Sequence, residues 1–193
     1  AFTDEWTALD DVGRHRVRSR AVLRSLGPAV ALSHVSAVIA HGIDVWGIPL
    51  GKVHVTRLDN GAGRIEGDVV HHEGVCLNGD VVVVDGLQAT TAVRSVVETG
   101  SQCPSEAALC IFDNGLFKKE YDVDDLLHTH QRLGDWPGTQ HLHVPVRMAT
   151  PGAQSIGESR GRWLFRCHQL PAPILQYNVY DVDGTLIGTC DWG

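Results

Sequence analysis

The segment from Pro151 to Gly193 constrains the fold of this chain more than any other. Its Pro151-Gly152 pair interrupts regular structure, and Ser155 with Glu158 three residues later has the spacing of a helix capping box. Two strand-like runs follow, joined by Asp183-Gly184, a dipeptide typical of tight hairpin turns. The segment therefore predicts one helix followed by a β-hairpin.

Residues 1–150 mix helical and strand-like patterns. The run Val53–Arg57 alternates like a strand, Arg64–His72 has the pattern of its returning partner, and Val81–Val84 is a further strand. Helices are expected before and after this sheet. Gly13 is a candidate break in the first helix, and Asp135-Trp136-Pro137 is a candidate start of the last.

The expected fold class is α+β. We expect a small mixed or antiparallel sheet with flanking helices in residues 1–150, followed by the helix and β-hairpin of residues 151–193. The Pro-Gly linker between Ala149 and Gln154 is the best candidate for a domain boundary.

Composition favours a cytoplasmic protein without a membrane partner. The chain is 43% hydrophobic and 20% charged, and no apolar run is long enough to cross a bilayer. Its five cysteines contain no C-x-x-C pair, which favours reduced thiols over a disulfide framework. The net charge of −7 argues against non-specific nucleic-acid binding by the whole surface, but it leaves room for a local basic patch.

A candidate basic patch lies in the first helical region. Arg16, Arg20 and Arg24 are four residues apart, so they share one helical face. Such a ridge can contact DNA phosphates, or it can be a solvated face paired with neighbouring aspartates. The spacing alone leaves both interpretations open.

The eleven histidines do not follow a recognised zinc-site pattern. His71 and His72 are adjacent, so on a strand they face opposite sides of the sheet. His128 with His130, and the pair two residues apart at 141 and 143, have spacings that suit neither a helix nor a known ligand motif. A zinc site is therefore not expected.

An ordered series of short motifs resembles the actinobacterial AbiEi-type antitoxin and transcriptional-regulator family. The series covers nearly the whole chain, and its pieces in order are Ser33-His34-Val35-Ser36, His41-Gly42, Trp46-Gly47-Ile48-Pro49, Val53-His54-Val55-Thr56-Arg57, Asp85-Gly86-Leu87, Thr91-Ala92-Val93-Arg94, Asp135-Trp136-Pro137-Gly138, Gly157-Glu158-Ser159-Arg160, Leu170-Pro171-Ala172-Pro173 and Asp183-Gly184.

This resemblance implies a winged-helix DNA-binding segment, an α/β middle region and a C-terminal domain similar to very-short-patch-repair endonucleases of the PD-(D/E)xK class. By this resemblance, the sequence begins after the position of the winged helix and ends before the next acidic strand of the nuclease-like domain. We therefore expect either part of a longer protein or a degenerate nuclease-like domain.

The resemblance also assigns roles to residues near the C-terminal end. Glu158 and Asp191 match metal-binding catalytic carboxylates, which would hold Mg²⁺ for phosphodiester hydrolysis. Two further assignments are hypotheses from the residues themselves. Gln176, on the first hairpin strand, is either a catalytic residue that assists the substrate or the metal, or a plain strand residue. Arg160 and Arg162 either contact DNA phosphates or belong to a solvated helix face. The capping-box spacing also explains Glu158 without catalysis.

Three functional hypotheses follow. The first is a DNA-associated regulatory or defence protein resembling an AbiEi-type antitoxin that represses its own operon. The second is a Mg²⁺-dependent DNA endonuclease, and the third is a non-enzymatic module that binds a toxin protein.

Overall fold

The computed structural model describes residues 2–193, with the backbone alone at Phe2. The α-helices are α1 (Phe2–Ala8), α2 (Asp11–Leu26), α3 (His34–Ala40), α4 (Ala92–Gly100), α5 (Ser105–Phe117), α6 (Val123–Arg132), α7 (His143–Met148) and α8 (Ile156–Cys167). The strands are β1 (Val30–Leu32), β2 (Val53–Arg57), β3 (Arg64–Glu66), β4 (Val69–His72), β5 (Val81–Val84), β6 (Leu87–Thr90), β7 (Leu175–Tyr180) and β8 (Leu186–Trp192).

The first six strands form one mixed sheet in the order β3-β4-β2-β1-β6-β5. Strand β1 is parallel to β6, β2 is parallel to β4, and the other neighbours are antiparallel. Strands β7 and β8 form a separate antiparallel hairpin. The predicted α+β class is confirmed.

The run Arg64–His72 is not a single returning strand, as the sequence pattern suggested. It is itself a tight hairpin of β3 and β4, reversed at Gly67, whose φ of 56° lies in the left-handed region that glycine tolerates. Because the chain reverses there, β4 runs parallel to β2, and Thr56 pairs with His72. This register places His54 and His72 on the same face of the sheet.

Two predicted helix boundaries are also wrong. The first helical region breaks at Asp10 rather than Gly13, because the Asp10 carboxylate accepts the Gly13 N–H at 2.7 Å and caps α2. The segment from Asp135 forms turns and a 3₁₀ turn, and α7 begins only at His143. Pro145 lies in the first turn of α7, where no intrahelical N–H bond is lost.

Helix α5 is the centre of the larger hydrophobic core. Its residues from Ala107 to Leu116 are all buried, and Phe112 is fully enclosed. Leu126 of α6 and Leu142 join the same core. A smaller core beneath the sheet includes Leu32 and Val55.

The segment between residues 149 and 155 is held against α5 rather than exposed as a free linker. The Thr150 N–H donates to the Asp113 carboxylate at 2.8 Å, and Ala153 is buried. Helix α8 then packs on α5. The domain boundary at residue 150 stays a prediction. No helix within residues 2–193 has the length and apolar character needed to cross a lipid bilayer.

Gly138 and Gly79 form a matched pair for testing a close backbone approach. Both have positive φ, 83° and 92°, so alanine at either site costs about 1–2 kcal/mol for the backbone conformation. A Cβ at Gly138 would also overlap the Ser101 carbonyl oxygen, whereas Gly79 has open space. We expect Gly138→Ala to lower the free energy of unfolding by about 1–3 kcal/mol more than Gly79→Ala in urea denaturation. Equal losses would contradict this packing.

Candidate functional site

Three arginines of α2 form an exposed row, here called the arginine ridge: Arg16, Arg20 and Arg24. Within residues 2–193, none of the three forms an ion pair. The aspartate pairing that sequence allowed is made by another residue, since Arg14 approaches Asp11 at 3.6 Å. The ridge is therefore an exposed positive surface whose guanidinium groups are not paired with carboxylates in the described residues.

The opposite face of α2 is anchored to the protein by polar contacts. The buried His15 ring approaches the Ser36 hydroxyl at 2.8 Å and the Leu50 carbonyl at 3.0 Å. Arg18 donates to the carbonyls of Leu50 and Gly51 at 2.6 and 2.8 Å. Burial lowers the pKa of His15, so its ring is neutral at neutral pH. These contacts fix the direction in which the ridge faces.

Arg160 and Arg162 lie on α8 and have protein partners. Arg160 donates to Glu106 at 2.8 Å, and its guanidinium carbon lies 4.0 Å from the centre of the Trp46 ring. Arg162 donates to the buried Asp113 at 2.7 Å and to the Met148 carbonyl. Both side chains tie α8 to the rest of the protein. Their predicted DNA contacts stay predictions.

Glu158 lies at the junction of α8 and the hairpin. Its carboxylate accepts the Ser155 hydroxyl at 2.9 Å and the Gln154 N–H at 3.2 Å, while the Glu158 N–H donates to the Ser155 hydroxyl. Gln176 also donates to this carboxylate at 3.1 Å. The structure thus brings Glu158 and Gln176 together, and it shows a helix-capping role for the buried Glu158.

Asp191 lies on the neighbouring hairpin strand. The register pairs Leu175 with Trp192 and Tyr177 with Cys190, so the residues between these pairs, Gln176 and Asp191, lie across from each other. Asp191 is exposed and has no hydrogen-bond or ion-pair partner within residues 2–193. Gln176 and Asp191 therefore lie on facing strands near the open end of the hairpin, and Gln176 contacts Glu158 of α8; this junction is here called the hairpin edge.

The donor set at this edge fits Mg²⁺ in its chemistry. A carboxylate has about four lone-pair positions, and three donors occupy Glu158, which leaves it one further ligand position. Asp191 offers a free carboxylate, and Mg²⁺ binds through one or two carboxylates while it keeps several waters. Glu158 and Asp191 are the residues that would hold the ion.

Sequence reasoning missed a cluster of three histidines, here called the histidine cluster: His34, His54 and His72. The His54 Nδ1 and His72 Nε2 atoms are 2.9 Å apart, and the His34 and His72 rings stack with centroids 3.7 Å apart. Each residue offers one nitrogen that lies within 4.8 Å of the others. The residues are 18 or more positions apart in the chain, so no local spacing could reveal them.

The histidine cluster is neutral at neutral pH. Burial lowers the pKa of His34 to about 3 and that of His72 to about 3, and it lowers the pKa of His54 to about 4. The buried Glu98 carboxylate lies beside the cluster and accepts the His34 N–H at 3.2 Å. Glu98 also pairs with Arg94 at 2.7 Å.

Comparison of the chain with family models, curated proteins and solved structures finds no match. The resemblance to AbiEi-type proteins therefore stays a prediction.

Asp113 of α5, which contacts Arg162 of α8, gives the packing of these two helices a specific pH dependence. Burial raises the pKa of Asp113 to about 6 against the opposing effect of Arg162, so the folded protein keeps a proton that the unfolded chain loses above its ordinary pKa of 3.8. Stability from this group is present below pH 4 and is lost as pH rises through 6.

We therefore expect the difference in unfolding free energy between wild type and Asp113→Asn to fall by about 2 kcal/mol from pH 4 to pH 6. Urea denaturation at each pH measures this difference, and the variant removes the only group that differs in titration. A difference that rises with pH would show instead that the Arg162 pair keeps Asp113 ionised throughout.

Proposed function

We propose that this chain is a DNA-associated regulatory or defence protein and that the arginine ridge of α2 contacts the phosphate backbone. The observation that carries the proposal is the row of three exposed guanidinium groups, Arg16, Arg20 and Arg24, without an internal ion pair in the described residues. Arginine is well suited to this role because its planar fork donates two hydrogen bonds to one phosphate.

The length of the ridge suits a DNA backbone. Residues 16 and 24 are eight apart, which corresponds to about 12 Å along a helix at about 1.5 Å per residue. Phosphates on one strand follow each other about every 3.4 Å along the duplex axis, so a row about 12 Å long lies alongside about three to four of them. The anchoring of His15 and Arg18 keeps the helix from turning the ridge away.

The net charge of −7 is compatible with this proposal because the interaction is local. Charges separated by more than the Debye length, about 8 Å at physiological salt, are largely screened. The acidic remainder of the surface would oppose contact elsewhere, so binding would be directed to the ridge. Repression of the protein's own operon, as in AbiEi-type antitoxins, is one regulatory role that such binding supports.

Salt dependence of DNA binding tests the ridge. The triple variant Arg16→Gln, Arg20→Gln, Arg24→Gln should reduce the slope of log K against log salt concentration by about 2.7, because each phosphate contact contributes about 0.9. Fluorescence anisotropy with a labelled duplex, read between 50 and about 200 mM salt, measures the slope.

A matched control removes equal charge elsewhere. Arg147, Arg166 and Lys119 are exposed and lie outside the ridge. Their triple replacement by glutamine should leave the slope within about 0.5 of the wild-type value. The proposal is wrong if both triple variants lose the same slope, or if wild-type binding does not depend on salt.

A second candidate function, a Mg²⁺-dependent endonuclease, is supported by the hairpin edge. The favouring observation is the hydrogen bond from Gln176 to Glu158, with Asp191 across from Gln176 on the neighbouring strand. Mg²⁺ bound there would supply charge stabilisation at a phosphate and an activated water. Glu158 would hold the ion while it keeps α8 capped, and Asp191 would supply the exposed ligand.

Asp191→Asn tests this candidate without disturbing the fold, because Asp191 has no partner within residues 2–193. If the chain is an endonuclease, wild type with Mg²⁺ should convert supercoiled plasmid to nicked circles, and the variant should be at least about 100-fold slower. Asp183→Asn, at the hairpin turn, serves as the control. Nicking that is equal in wild type and Asp191→Asn, or absent from wild type, would exclude this role.

A further inference from the structure

The histidine cluster is assembled by three separate elements. His54 is on β2, His72 is on β4, and His34 begins α3 directly after β1. In the parallel pairing of β2 with β4, His54 lies opposite Val70, so His72 two residues later points to the same face of the sheet. His71 points to the other face and does not join the cluster.

The position of His34 is fixed by the backbone as well as by packing. Its φ of 50° is in the left-handed region, which costs a non-glycine residue about 1–2 kcal/mol. The Ser33 N–H donates to the His54 carbonyl at 3.1 Å, and the His34 N–H donates to Glu98. Non-glycine residues held in this region concentrate at functional sites, where the surrounding structure compensates the strain.

The environment of His34 resembles the support that metal-bound histidines receive. Its Nδ1 lies 3.1 Å from the Ser33 hydroxyl and 3.7 Å from the Glu98 carboxylate. Metal-bound imidazoles commonly donate their second ring N–H to such a group, which fixes the tautomer and the ring orientation. The His34 Nε2 has no protein partner within residues 2–193.

We propose that His34, His54 and His72 bind one divalent transition-metal ion of the Zn²⁺ and Co²⁺ type. Three imidazole nitrogens without a carboxylate favour these ions over Mg²⁺, which prefers oxygen ligands. A tetrahedral Zn²⁺ with bonds of about 2.0–2.1 Å places its ligand nitrogens about 3.3 Å apart. The 2.9 Å pair and the 4.8 Å limit bracket that spacing. The His34 ring, which is stacked on the His72 ring, must rotate out of that stack to point its nitrogen at the ion.

Three protein ligands leave a tetrahedral ion one open position. His34 and His72 line a cleft that also includes Glu73, Gly74 and Trp136, so this position can be reached by water or a small ligand. The site is on the central sheet, away from the hairpin edge that would hold Mg²⁺. It does not depend on the proposed DNA contact, and either can be wrong without the other.

Cobalt titration tests the site directly. Protein freed of metal with a chelator should bind one equivalent of Co²⁺ at neutral pH, with the intense visible absorption of a tetrahedral ion, and Zn²⁺ should displace it. His72→Gln should weaken binding at least about 100-fold. His128→Gln removes an exposed histidine outside the cluster and should bind like wild type. Unchanged binding by His72→Gln, or no binding by wild type, would overturn the proposal.

X-ray absorption of the Zn²⁺-loaded wild type provides a test that does not require the variant to fold. We expect three imidazole nitrogens at about 2.0 Å and one non-imidazole oxygen ligand such as water. A shell dominated by sulfur, or by carboxylate and water oxygen with one imidazole or none, would place the ion elsewhere and contradict the proposal.

Discussion

The buried guanidinium of Arg94 is the interaction on which most of this structure depends. Arg94 is 1% exposed and pairs with Glu98 at 2.7 Å and with Asp80 at 2.6 Å. Asp80 also pairs with Arg132 of α6 at 2.7 Å, so one network joins α4, α6 and the segment before β5. A buried charge that loses its partner costs about 3–5 kcal/mol, so these groups must be placed together.

This network also supports the histidine cluster. Glu98 receives Arg94 on one oxygen, and on the other it receives the His34 N–H. The same carboxylate therefore neutralises a buried cation and holds the strained backbone of a proposed metal ligand. The Arg94 guanidinium lies 5.2 Å from the Trp136 ring centre, and Trp136 lines the cleft beside His34. Core electrostatics and the proposed site are thus parts of one arrangement.

The arginines of this protein divide into two groups by what surrounds them. Arg94, Arg160 and Arg162 pair with carboxylates and connect secondary-structure elements, whereas the arginine ridge faces solvent without such partners. Arg16 donates one hydrogen bond to the Ile39 carbonyl at 3.3 Å, but no guanidinium of the ridge is paired with a carboxylate in the described residues. The ridge is therefore available to an external anion, while a paired arginine must first leave its carboxylate. This difference is the physical reason for proposing DNA contact at α2 rather than at α8.

Local patterns predicted local structure well. The Ser155 hydroxyl accepts the Glu158 N–H at the start of α8, and Asp183-Gly184 turns the hairpin. These predictions are correct because the residues that contact each other are only a few positions apart in the sequence. Local sequence patterns around Arg162 could not predict its ion pair with Asp113, because the two residues are 49 positions apart.

The histidine cluster was hidden for a similar reason. It depends on the parallel pairing of β2 with β4, which in turn depends on the chain reversal at Gly67 inside a run that looked like one strand. Adjacent His71 and His72 were correctly expected to face opposite sides, but their distant partners are set by tertiary structure. Sequence analysis named Glu158, Gln176 and Asp191 as candidate site residues. The hydrogen bond from Gln176 to Glu158 could be recognised only from the three-dimensional structure.

The proposal that the arginine ridge of α2 contacts DNA is tested most directly by an NMR titration of the arginine side-chain Nε–Hε signals with duplex DNA. The arrangement predicts that the signals of Arg16, Arg20 and Arg24 shift with DNA concentration, while those of Arg160 and Arg162 keep their positions because Glu106 and Asp113 hold them. Shifts at Arg160 and Arg162 with an unchanged ridge would contradict the claim and place the DNA contact on α8.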